Sequence, residues 1–396
     1  MIKRLLIKNA YAVLTDSVTE RKVSVLVENG KICDIGDFDF SENAEVVDCN
    51  GSYLMPGFID LHVHGGGGAD FMDATVDSFK TVVEAHLKHG TTTLLPTSMT
   101  ASEEDLTAFC KTFTEFKSTV HNGAKTPGLH FEGPYLSGAG GSSKGAQKGD
   151  YLRNPDILEA ERLIAASDGN IIRWDIAPEL PGALELSKKL SSMGIICSIA
   201  HSTADCDTSL KAFVSGFSHV THCYNAVPTY RKVGQKVLDG VVEAAYLDDN
   251  AAIELICDGC HIPKGIVKLA LKIKGADKVM AITDAMRIAG TDMKGGILGS
   301  LKSGTEVTVD DGVAKLLDLS SFAGSIATTD RCLRVLCRDY GIELTDASKM
   351  LSAAPAKLLK LYDTVGSIEV GKTADLVVTD SEFNVKNVIL DGVVKA

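Results

Sequence analysis

Residues 53–64 read YLMPGFIDLHVH, an apolar run that ends on two histidines, His62 and His64. The run has the length and composition of a buried strand. It is followed by DATVDSFKTVVEAHLKHG (73–90), whose apolar residues recur with the period of a helix. A strand followed by a helix is the repeating unit of parallel α/β folds. The stretch therefore predicts the first βα unit of such a fold.

The same alternation of strand and helix patterns continues along the chain. Seven further strands are predicted: TTTLLPT from Thr91, GLHFEG from Gly128, IIRWDIAPE from Ile171, GIICSIAHS from Gly194, FSHVTHCYN from Phe217, AAIELICDG from Ala251 and KVMAITDAM from Lys278. Helical stretches separate them. Eight strands with a helix after each favour a (β/α)₈ barrel of the TIM type over an open doubly wound sheet.

Both ends of the chain have a different pattern, of short strands and turns. RLLIKNAYAVL and KVSVLVENGKICDIG stand near the start, and GSIEVGKTADLVVTD and NVKNVILDGVVKA near the end. We predict that residues 1–54 and 351–396, the latter including a helix, form one small β-sandwich domain around a catalytic barrel of residues 55–350. Residues 366–373 fit the P-loop expression, but a strand pattern follows instead of a helix, so we interpret them as a hairpin of the terminal sheet.

Composition excludes several classes of partner. The chain has 396 residues and a net charge of −12, which argues against nucleic-acid binding because that needs clustered Lys and Arg. No run approaches the roughly 20 apolar residues that span a bilayer. The start, MIKRLLIKNAYAVL, is interrupted by Lys8 and Asn9 and predicts a strand. The ten scattered cysteines indicate reduced thiols, so we expect a cytoplasmic protein without a membrane partner.

Polar side chains stand where the predicted strands end. They are His62 and His64 (strand one), Glu132 (three), His201 (five), His222 (six), His261 (after seven) and Asp284 (eight). Active sites of such barrels lie at this end of the strands, so we expect these side chains to meet. Imidazole and carboxylate are typical ligands of Zn²⁺, with Fe²⁺ or another divalent ion as alternatives. One or two ions per subunit are consistent with the set.

The same residues indicate a hydrolase. A divalent cation lowers the pKa of bound water from about 15.7 towards about 7. Asp284 is then the candidate general base and later acid, and His261 the candidate group that hydrogen-bonds the developing oxyanion. His130 alternates with Glu132 and is predicted to point inward in support. His86 and His89, near the end of the first helix, are predicted to lie on the surface.

The sequence resembles the amidohydrolase superfamily, and more closely its N-acetylglucosamine-6-phosphate deacetylase family. The matching segments include PGFIDLHVHG (56–65), GLHFEGPYLS (128–137), KGAQ (144–147), THCYNAV (221–227), CDGCHI (257–262), ITDAM (282–286) and LSSFAGSIATTDR (319–331). The resemblance implies that Glu132, His201 and His222 are the principal metal ligands. It also implies Asp284 as acid/base and His261 as the contact to the substrate carbonyl. Some deacetylases lack the first-strand histidines and hold one metal, whereas His62 and His64 here leave a second metal position possible, with Glu132 bridging.

The resemblance further implies a phosphorylated amino sugar as substrate: N-acetyl-D-glucosamine 6-phosphate would be hydrolysed to D-glucosamine 6-phosphate and acetate in amino-sugar catabolism. Asn225, the backbone of Ala226 and an arginine, assigned as Arg231, would hold it, with Arg231 reaching the neighbouring site of a homodimer. Gln147 stands where many relatives have His and would keep a substrate hydrogen bond. The glycine-rich segment from Ser137 would lie over the substrate.

Three alternatives are open. The galactosamine epimer differs at one hydroxyl, and no residue in the sequence decides between the two sugars. A cyclic amide hydrolase of the dihydroorotase or hydantoinase type would use a carboxylated Lys, and no Lys stands at a strand end. A non-catalytic barrel would lose metal ligands, which are retained here.

Overall fold

The structure is a computed structural model that describes residues 3–39, 43–138 and 141–396. Its first strands are β1 (Arg4–Ala12), β2 (Val23–Glu28), β3 (Lys31–Gly36), β4 (Glu45–Asp48) and β5 (Tyr53–Pro56). The middle strands are β6 (Phe58–Val63), β7 (Gly65–Gly66), β8 (Ala69–Asp70), β9 (Thr91–Pro96), β10 (Leu129–Glu132), β11 (Ile171–Ile176), β12 (Ile196–Ile199), β13 (Phe217–Val220), β14 (Arg231–Val233), β15 (Lys236–Leu238), β16 (Ala252–Ile256) and β17 (Val279–Ile282). The last are β18 (Gly295–Leu298), β19 (Thr305–Asp310), β20 (Val313–Leu316), β21 (Leu376–Thr379), β22 (Val385–Leu390) and β23 (Val393–Val394).

The α-helices are α1 (Val76–Leu87), α2 (Glu103–Lys117), α3 (Gly141–Lys144), α4 (Ile157–Ala166), α5 (Ala183–Ser192), α6 (Cys206–Val214), α7 (Val241–Leu247), α8 (Lys264–Lys274), α9 (Thr329–Arg334), α10 (Leu344–Leu351) and α11 (Ala353–Leu358). Short 3₁₀ helices lie at Phe71–Asp73 and Gly149–Tyr151, and a π-helical turn at Val335–Asp339. Within the described ranges, no helix has both the length and the apolar character needed to cross a bilayer.

Eight parallel strands form a TIM-barrel-type ring, as predicted. Strands β10, β11, β12, β13, β16 and β17 pair in that order, and β6 pairs with β9. Single bridges connect these two groups at both edges, Thr97 with His130 and Val63 with Ala285. The ring follows chain order, so the carboxyl ends of all eight strands share one rim.

The predicted first strand, residues 53–64, is in fact two strands. β5 pairs with β1 and β21 in the terminal sheet, whereas β6 belongs to the barrel. The break falls at Gly57, whose N–H donates to the carbonyl of Asp375. A Cβ at this position would lie 2.2 Å from the hydroxyl of Thr92, so the packing of the Thr92 side chain against this backbone leaves room only for glycine.

The two ends of the chain pair with each other, as predicted. The terminal sheet has the order β23-β22-β21-β5-β1-β2-β3, with β4 beside β1. The β2–β3 hairpin turns at Asn29 and Gly30, whose φ values of 50° and 83° match a two-residue hairpin turn. Fourteen buried apolar residues from both ends of the chain, including Ile7, Val25 and Leu376, form a core for this sheet.

Residues 366–373 contain no strand, so the predicted hairpin is wrong. Their backbone bonds are made to another segment: Gly371 N–H donates to Ile32, and Ile32 N–H donates to Lys372. The ammonium group of Lys372 lies 3.6 Å from the ring centroid of Tyr362 and donates to the hydroxyl of Ser367. The lysine that a P-loop would direct at phosphate is therefore engaged inside the protein.

His86 is buried, which corrects the surface position predicted for it. It lies on the same face of α1 as Phe79, Val82 and Val83, and its Nε2 is 2.9 Å from the carbonyl oxygen of Gly65. Burial lowers the pKa of His86 to about 4, so the ring is neutral and donates this bond at physiological pH. His89 is partly exposed and lies 3.3 Å from Asp330.

The barrel interior beneath the rim contains a buried ion pair. The two terminal guanidinium nitrogens of Arg173 on β11 lie 2.6 and 2.9 Å from the carboxylate oxygens of Glu254 on β16. Both side chains are fully buried. Arg173 also donates to Leu61 O and Thr221 Oγ1. Beside this pair, His130 lies 3.0 Å from Asp175, inward as predicted. Because buried charges are tolerated only when paired, this network constrains the positions of the strands that carry the rim.

We predict that Glu254→Gln lowers the free energy of unfolding by about 3–5 kcal/mol, because it removes the charge that both terminal nitrogens of a fully buried guanidinium contact and leaves only Asp175, at 3.5 Å, as counter-charge. Glu103→Gln is the matched control: it breaks a pair with Arg162 whose side chains are 39% and 56% exposed, and it should cost less than about 1 kcal/mol. Urea unfolding followed by circular dichroism measures both. Equal losses in the two variants would contradict a special role for the interior pair.

Candidate active site

The rim residues predicted from the sequence meet in one cavity. Its volume is about 150 Å³, and its polar lining includes His64, Glu132, His201, His222, His261 and Asp284. His62 is completely buried directly beside His64. Each of these residues lies in, or within a few residues after, the end of a barrel strand. The common rim of the parallel strands thus brings together side chains that are up to 222 positions apart in sequence (284 − 62).

The carboxylate of Glu132 lies at the centre of the cluster. Its Oε1 is 2.9 Å from His201 Nε2 and 3.0 Å from His222 Nε2. Its Oε2 is 3.4 Å from His64 Nε2. On the far side, His62 Nε2 lies 3.0 Å from His64 Nε2 and 3.8 Å from Glu132 Oε1. Two potential ligand triads therefore share one carboxylate.

These separations fit a metal site. With ligand bonds of about 2.0–2.1 Å, the donor atoms of a tetrahedral zinc site are about 3.3 Å apart. The distances from the Glu132 oxygens to the four imidazole nitrogens, 2.9–3.8 Å, bracket that value. The donors are also chemically suitable, since neutral imidazole and carboxylate both bind borderline divalent ions. The described residues could hold one cation at Glu132, His201 and His222, and a second at His62, His64 and Glu132.

Hydrogen bonds behind the ligands orient two of the imidazoles. His201 Nδ1 lies 2.7 Å from the carbonyl oxygen of Ser143, and His222 Nδ1 lies 3.1 Å from that of Asn225. A carbonyl only accepts, so both Nδ1 atoms carry the proton and both Nε2 atoms face Glu132 as potential ligands. The Nδ1 atoms of His62 and His64 are buried without a hydrogen-bond partner within the described part of the chain.

The backbone is strained at three of these positions. His201, His222 and Asp284 have φ values of 44°, 30° and 49°, a region that residues other than glycine rarely adopt. Each is the second residue after the end of a barrel strand. Such conformations cost about 1–3 kcal/mol each and are concentrated at functional sites. The turn directs each side chain into the cavity instead of along the outer rim.

The buried charges shift one another's pKa values strongly. Burial alone would lower the pKa of His222, but the carboxylate of Glu132 outweighs it and raises the pKa to about 9. Burial likewise opposes protonation of His64, whose pKa is raised to about 9 by Asp284 and Glu132. Burial dominates at His62 and lowers its pKa well below the usual range. The carboxylates therefore create a site that favours positive charge.

Comparison with known proteins shows the family to which the chain belongs. Residues 53–395 match the model of the amidohydrolase family. The chain belongs to the amidohydrolase family. It is 32% identical to an N-acetylglucosamine-6-phosphate deacetylase of Lysinibacillus sphaericus, over 98% of this chain and 97% of the relative. It is 30% identical to an N-acetylgalactosamine-6-phosphate deacetylase of Escherichia coli O157:H7, over 88% and 89% of the two chains.

Solved structures are similar over the whole length of this amidohydrolase. An N-acetylglucosamine-6-phosphate deacetylase from Pasteurella multocida has a TM-score of 0.90 at 32% identity, and 99% of this chain and 100% of that chain are covered. A mutant form of the Mycobacterium smegmatis deacetylase, in complex with N-acetyl-D-glucosamine-6-phosphate, has a TM-score of 0.89 at 27% identity. Coverage is 100% of both chains.

Of the five predicted substrate-binding residues, four line the cavity of the amidohydrolase: His261, described above, and Gln147, Asn225 and Ala226. Gln147 donates from Nε2 to Glu132 Oε2 at 2.6 Å and accepts from Thr100 N–H, so both ends of its amide are already engaged. Asn225 Nδ2 is buried and has no hydrogen-bond partner in the described structure. That amide is a donor available to a ligand.

Arg231 is the one predicted site residue that lies away from this cavity. It begins the β14–β15 hairpin, and its guanidinium donates to the carbonyl of Asp239 at 3.1 Å. The glycine-rich segment predicted to cover the substrate is described in part, since residues 139 and 140 lie outside the described residues. Its later residues Gly145 and Ala146 do line the cavity.

Two side chains beside His261 were not predicted from the sequence. Asp258 accepts from His261 Nδ1 at 2.9 Å, and the ring of Phe322 lies 4.8 Å from the His261 ring, centroid to centroid. Asp258 stands three residues before His261, a spacing that could have indicated the contact. Phe322 is 61 positions away (322 − 261), and nothing in its local pattern indicates the site.

We predict that Glu132→Ala abolishes tight binding at both metal positions, because Glu132 is the only residue common to the two triads. His64→Ala should leave one ion per chain, held by Glu132, His201 and His222. Equilibrium dialysis against Zn²⁺ with elemental analysis gives the stoichiometry, and His121→Ala, a histidine outside the cluster, is the control. Retention of a full complement of metal by Glu132→Ala would refute the shared-carboxylate arrangement.

Metal binding should release protons. His64 and His222, with pKa values of about 9, are mostly protonated at pH 7.5 in the metal-free protein and must lose that proton to become ligands. Affinity for Zn²⁺ should therefore rise with pH up to about 9. Calorimetric titrations in two buffers of different ionisation enthalpy count the protons, and His64→Ala should release fewer. A heat that is independent of buffer would contradict these protonation states.

Proposed function

We propose that this amidohydrolase removes the acetyl group of N-acetyl-D-glucosamine 6-phosphate, giving D-glucosamine 6-phosphate and acetate, as a step of amino-sugar catabolism. The observation that carries the proposal is the cluster around Glu132, with Asp284 and His261 on the same cavity, in a chain that aligns over 98% of its length with a deacetylase of this specificity.

The site residues divide the chemistry between them. Asp284 Oδ1 lies 3.3 Å from His64 Nε2 and 3.5 Å from His62 Nε2, next to the place where the cluster could hold a cation. A divalent cation held by Glu132 and the histidines would supply Lewis acidity, which activates water as a nucleophile for an amide carbonyl. We assign Asp284 as the base that takes the proton of that water and as the acid that passes it to the departing amine. His261 stabilises the charge that develops on the carbonyl oxygen.

The amides of the cavity are assigned to the sugar. Asn225 Nδ2, which has no partner among the described residues, donates to a substrate oxygen, and the backbone of Ala226 lies beside it. Gln147 reaches the same space from the glycine-rich segment. Because Gln147 is hydrogen-bonded to Glu132, binding of substrate to its amide requires that this bond be shared or exchanged.

In this proposal, a second copy of the chain binds the phosphate group of the substrate. None of the described residues that line the cavity is Lys or Arg, whereas a phosphate dianion needs a cationic partner. Arg231 lies on a hairpin with three exposed apolar side chains, Tyr230, Val233 and Val237 (63%, 58% and 56% exposed). Such a patch favours burial against another subunit. We therefore propose a homodimer in which Arg231 reaches the neighbouring cavity.

Further features complete the proposal. Zn²⁺ is the proposed ion because the donor set is imidazole and carboxylate. A cytoplasmic location is supported by ten free cysteines, seven of them buried. Residues 1–54 and 351–396 are proposed to form the β-sandwich domain beside a barrel of residues 55–350, supported by their common sheet and core, with the first boundary moved to residue 56 because β5 lies in the terminal sheet.

The galactosamine epimer is the second candidate substrate, favoured by the 30% identical Escherichia coli relative of that specificity. The two sugars differ at one hydroxyl, and the cavity offers both of them the same amides. A cyclic amide hydrolase with a carboxylated Lys is disfavoured, because Glu132 occupies the position shared by both triads.

We expect rapid release of acetate from N-acetylglucosamine 6-phosphate and little from the unphosphorylated sugar, and the rate with the galactosamine epimer, measured beside them, decides between the two candidate substrates. Asp284→Asn should keep bound metal and fold but lose several orders of magnitude in kcat, since the base is removed. Arg231→Ala should raise KM for the phosphorylated sugar alone. Near-normal turnover by Asp284→Asn would refute its role as the base. Equal rates with the phosphorylated and the unphosphorylated sugar would refute the proposed binding of the phosphate by Arg231.

A further inference from the structure

Asp258 divides its carboxylate between the backbone and the ring of His261. Oδ1 accepts two backbone N–H groups, those of Cys260 at 2.8 Å and His261 at 2.9 Å. Oδ2 accepts from the ring atom Nδ1 of His261, also at 2.9 Å. The Asp258 side chain is almost completely buried, and the paired ring keeps the pKa of its carboxyl low although burial raises it. The group is therefore an anion that accepts on both oxygens.

Other contacts fix the loop and the ring. Arg331 Nε donates to the carbonyl of Asp258 at 3.1 Å, which connects the loop after β16 to α9. The ring of Phe322 packs against the His261 ring at an interplanar angle of 60°. His261 itself lines the cavity. Its imidazole is thus bounded by a carboxylate at Nδ1 and by an aromatic face, and Nε2 is the nitrogen left for a ligand.

We propose that Asp258 is a positioning residue for the hydrolysis: it fixes the orientation of the His261 ring by accepting the Nδ1 proton, and its negative charge supports a second proton on Nε2, which Nε2 donates to the substrate carbonyl oxygen. The proposal rests on the deacetylase function proposed above. Its physical basis is that a carboxylate oxygen only accepts, so the Nδ1 it contacts must donate. A carboxylate also stabilises the ring when both nitrogens are protonated, the form in which Nε2 donates to an oxyanion while Nδ1 stays bound.

Because one oxygen of Asp258 accepts from the backbone and the other from the His261 ring, Asp258→Asn should change the contact to the ring and keep the contacts to the backbone. The amide oxygen must face the two backbone N–H groups, since an NH₂ group there would oppose two donors. The NH₂ group is then forced towards His261 Nδ1, which becomes an acceptor, and the ring proton of the neutral imidazole moves to Nε2. The loop keeps its backbone hydrogen bonds, but the tautomer is reversed and the supporting negative charge is lost.

Asp248→Asn is the matched control. Asp248 Oδ1 also accepts two backbone N–H groups, those of Asn250 at 2.8 Å and Ala251 at 3.0 Å, and it is not in contact with any histidine among the described residues. A general cost of replacing such a turn-capping carboxylate by an amide would therefore appear in both variants. A cost specific to the histidine would appear only in Asp258→Asn.

The first test is the tautomer itself. Zinc-loaded, ¹⁵N-histidine-labelled protein is studied by long-range ¹H–¹⁵N correlation spectroscopy, with the His261 signals assigned from their absence in His261→Ala. We expect protonated Nδ1 in the parent protein and in Asp248→Asn, and protonated Nε2 in Asp258→Asn. A protonated Nδ1 in Asp258→Asn would overturn the proposal. This readout does not depend on which substrate the enzyme uses.

The second test is turnover of N-acetylglucosamine 6-phosphate by the same samples. We expect kcat of Asp258→Asn to fall about 10- to 100-fold with little change in KM, and that of His261→Ala to fall about 10²- to 10³-fold, as for loss of one oxyanion donor. Asp248→Asn should match the parent. Unchanged kcat in Asp258→Asn with a reversed tautomer would also overturn the proposal. No turnover by the parent would instead remove the proposed function, with the tautomer result still standing.

Discussion

The candidate active site of this protein is organised around one buried carboxylate. Glu132 Oε1 is within 3.0 Å of two imidazoles, and Oε2 is near a third imidazole and the amide of Gln147. An anion in such a position must be neutralised, and burial without positive charge would raise its pKa. Instead its pKa is held well below the usual range by the histidines around it. The cluster thus favours positive charge, either protons on imidazole or a divalent cation. The strands that carry it must hold these side chains in position to within a fraction of an ångström.

The barrel provides that register through polar contacts as well as apolar packing. Beneath the rim, Arg173 and Glu254 connect β11 and β16 through the centre of the ring, and Asp175 lies between Arg173 and His130. His130 is in turn in edge contact with the ring of His62, at 4.7 Å between centroids. A charged layer inside the barrel costs stability that apolar side chains would not. In exchange it fixes directions, since hydrogen bonds have preferred angles and apolar contacts do not.

Strain and support are combined at the rim. Three of the functional residues adopt positive φ, an arrangement that only the surrounding structure can enforce. Two of these side chains, His201 and His222, are oriented by backbone carbonyls behind them, and the neighbouring His261 is oriented by a carboxylate. This division is general for metal and hydrolytic sites, in which the groups behind the reacting residues set their orientation and protonation.

The sequence by itself determined the kind of fold and most of the candidate site. The eight strand patterns, and the His, Glu and Asp residues at their ends, are local features, and the geometry of a parallel barrel makes their convergence predictable. Tertiary structure decided the rest. Residues 53–56 lie in the terminal sheet because β1 and β21, their strand partners, are there. His86 is buried because the packing of its helix, and not its position within the helix, sets its exposure. Tertiary structure also brings Phe322, which is distant in sequence, against His261. Arg231 lies outside the cavity, since the position that a side chain reaches depends on the path of the chain and not on its motif.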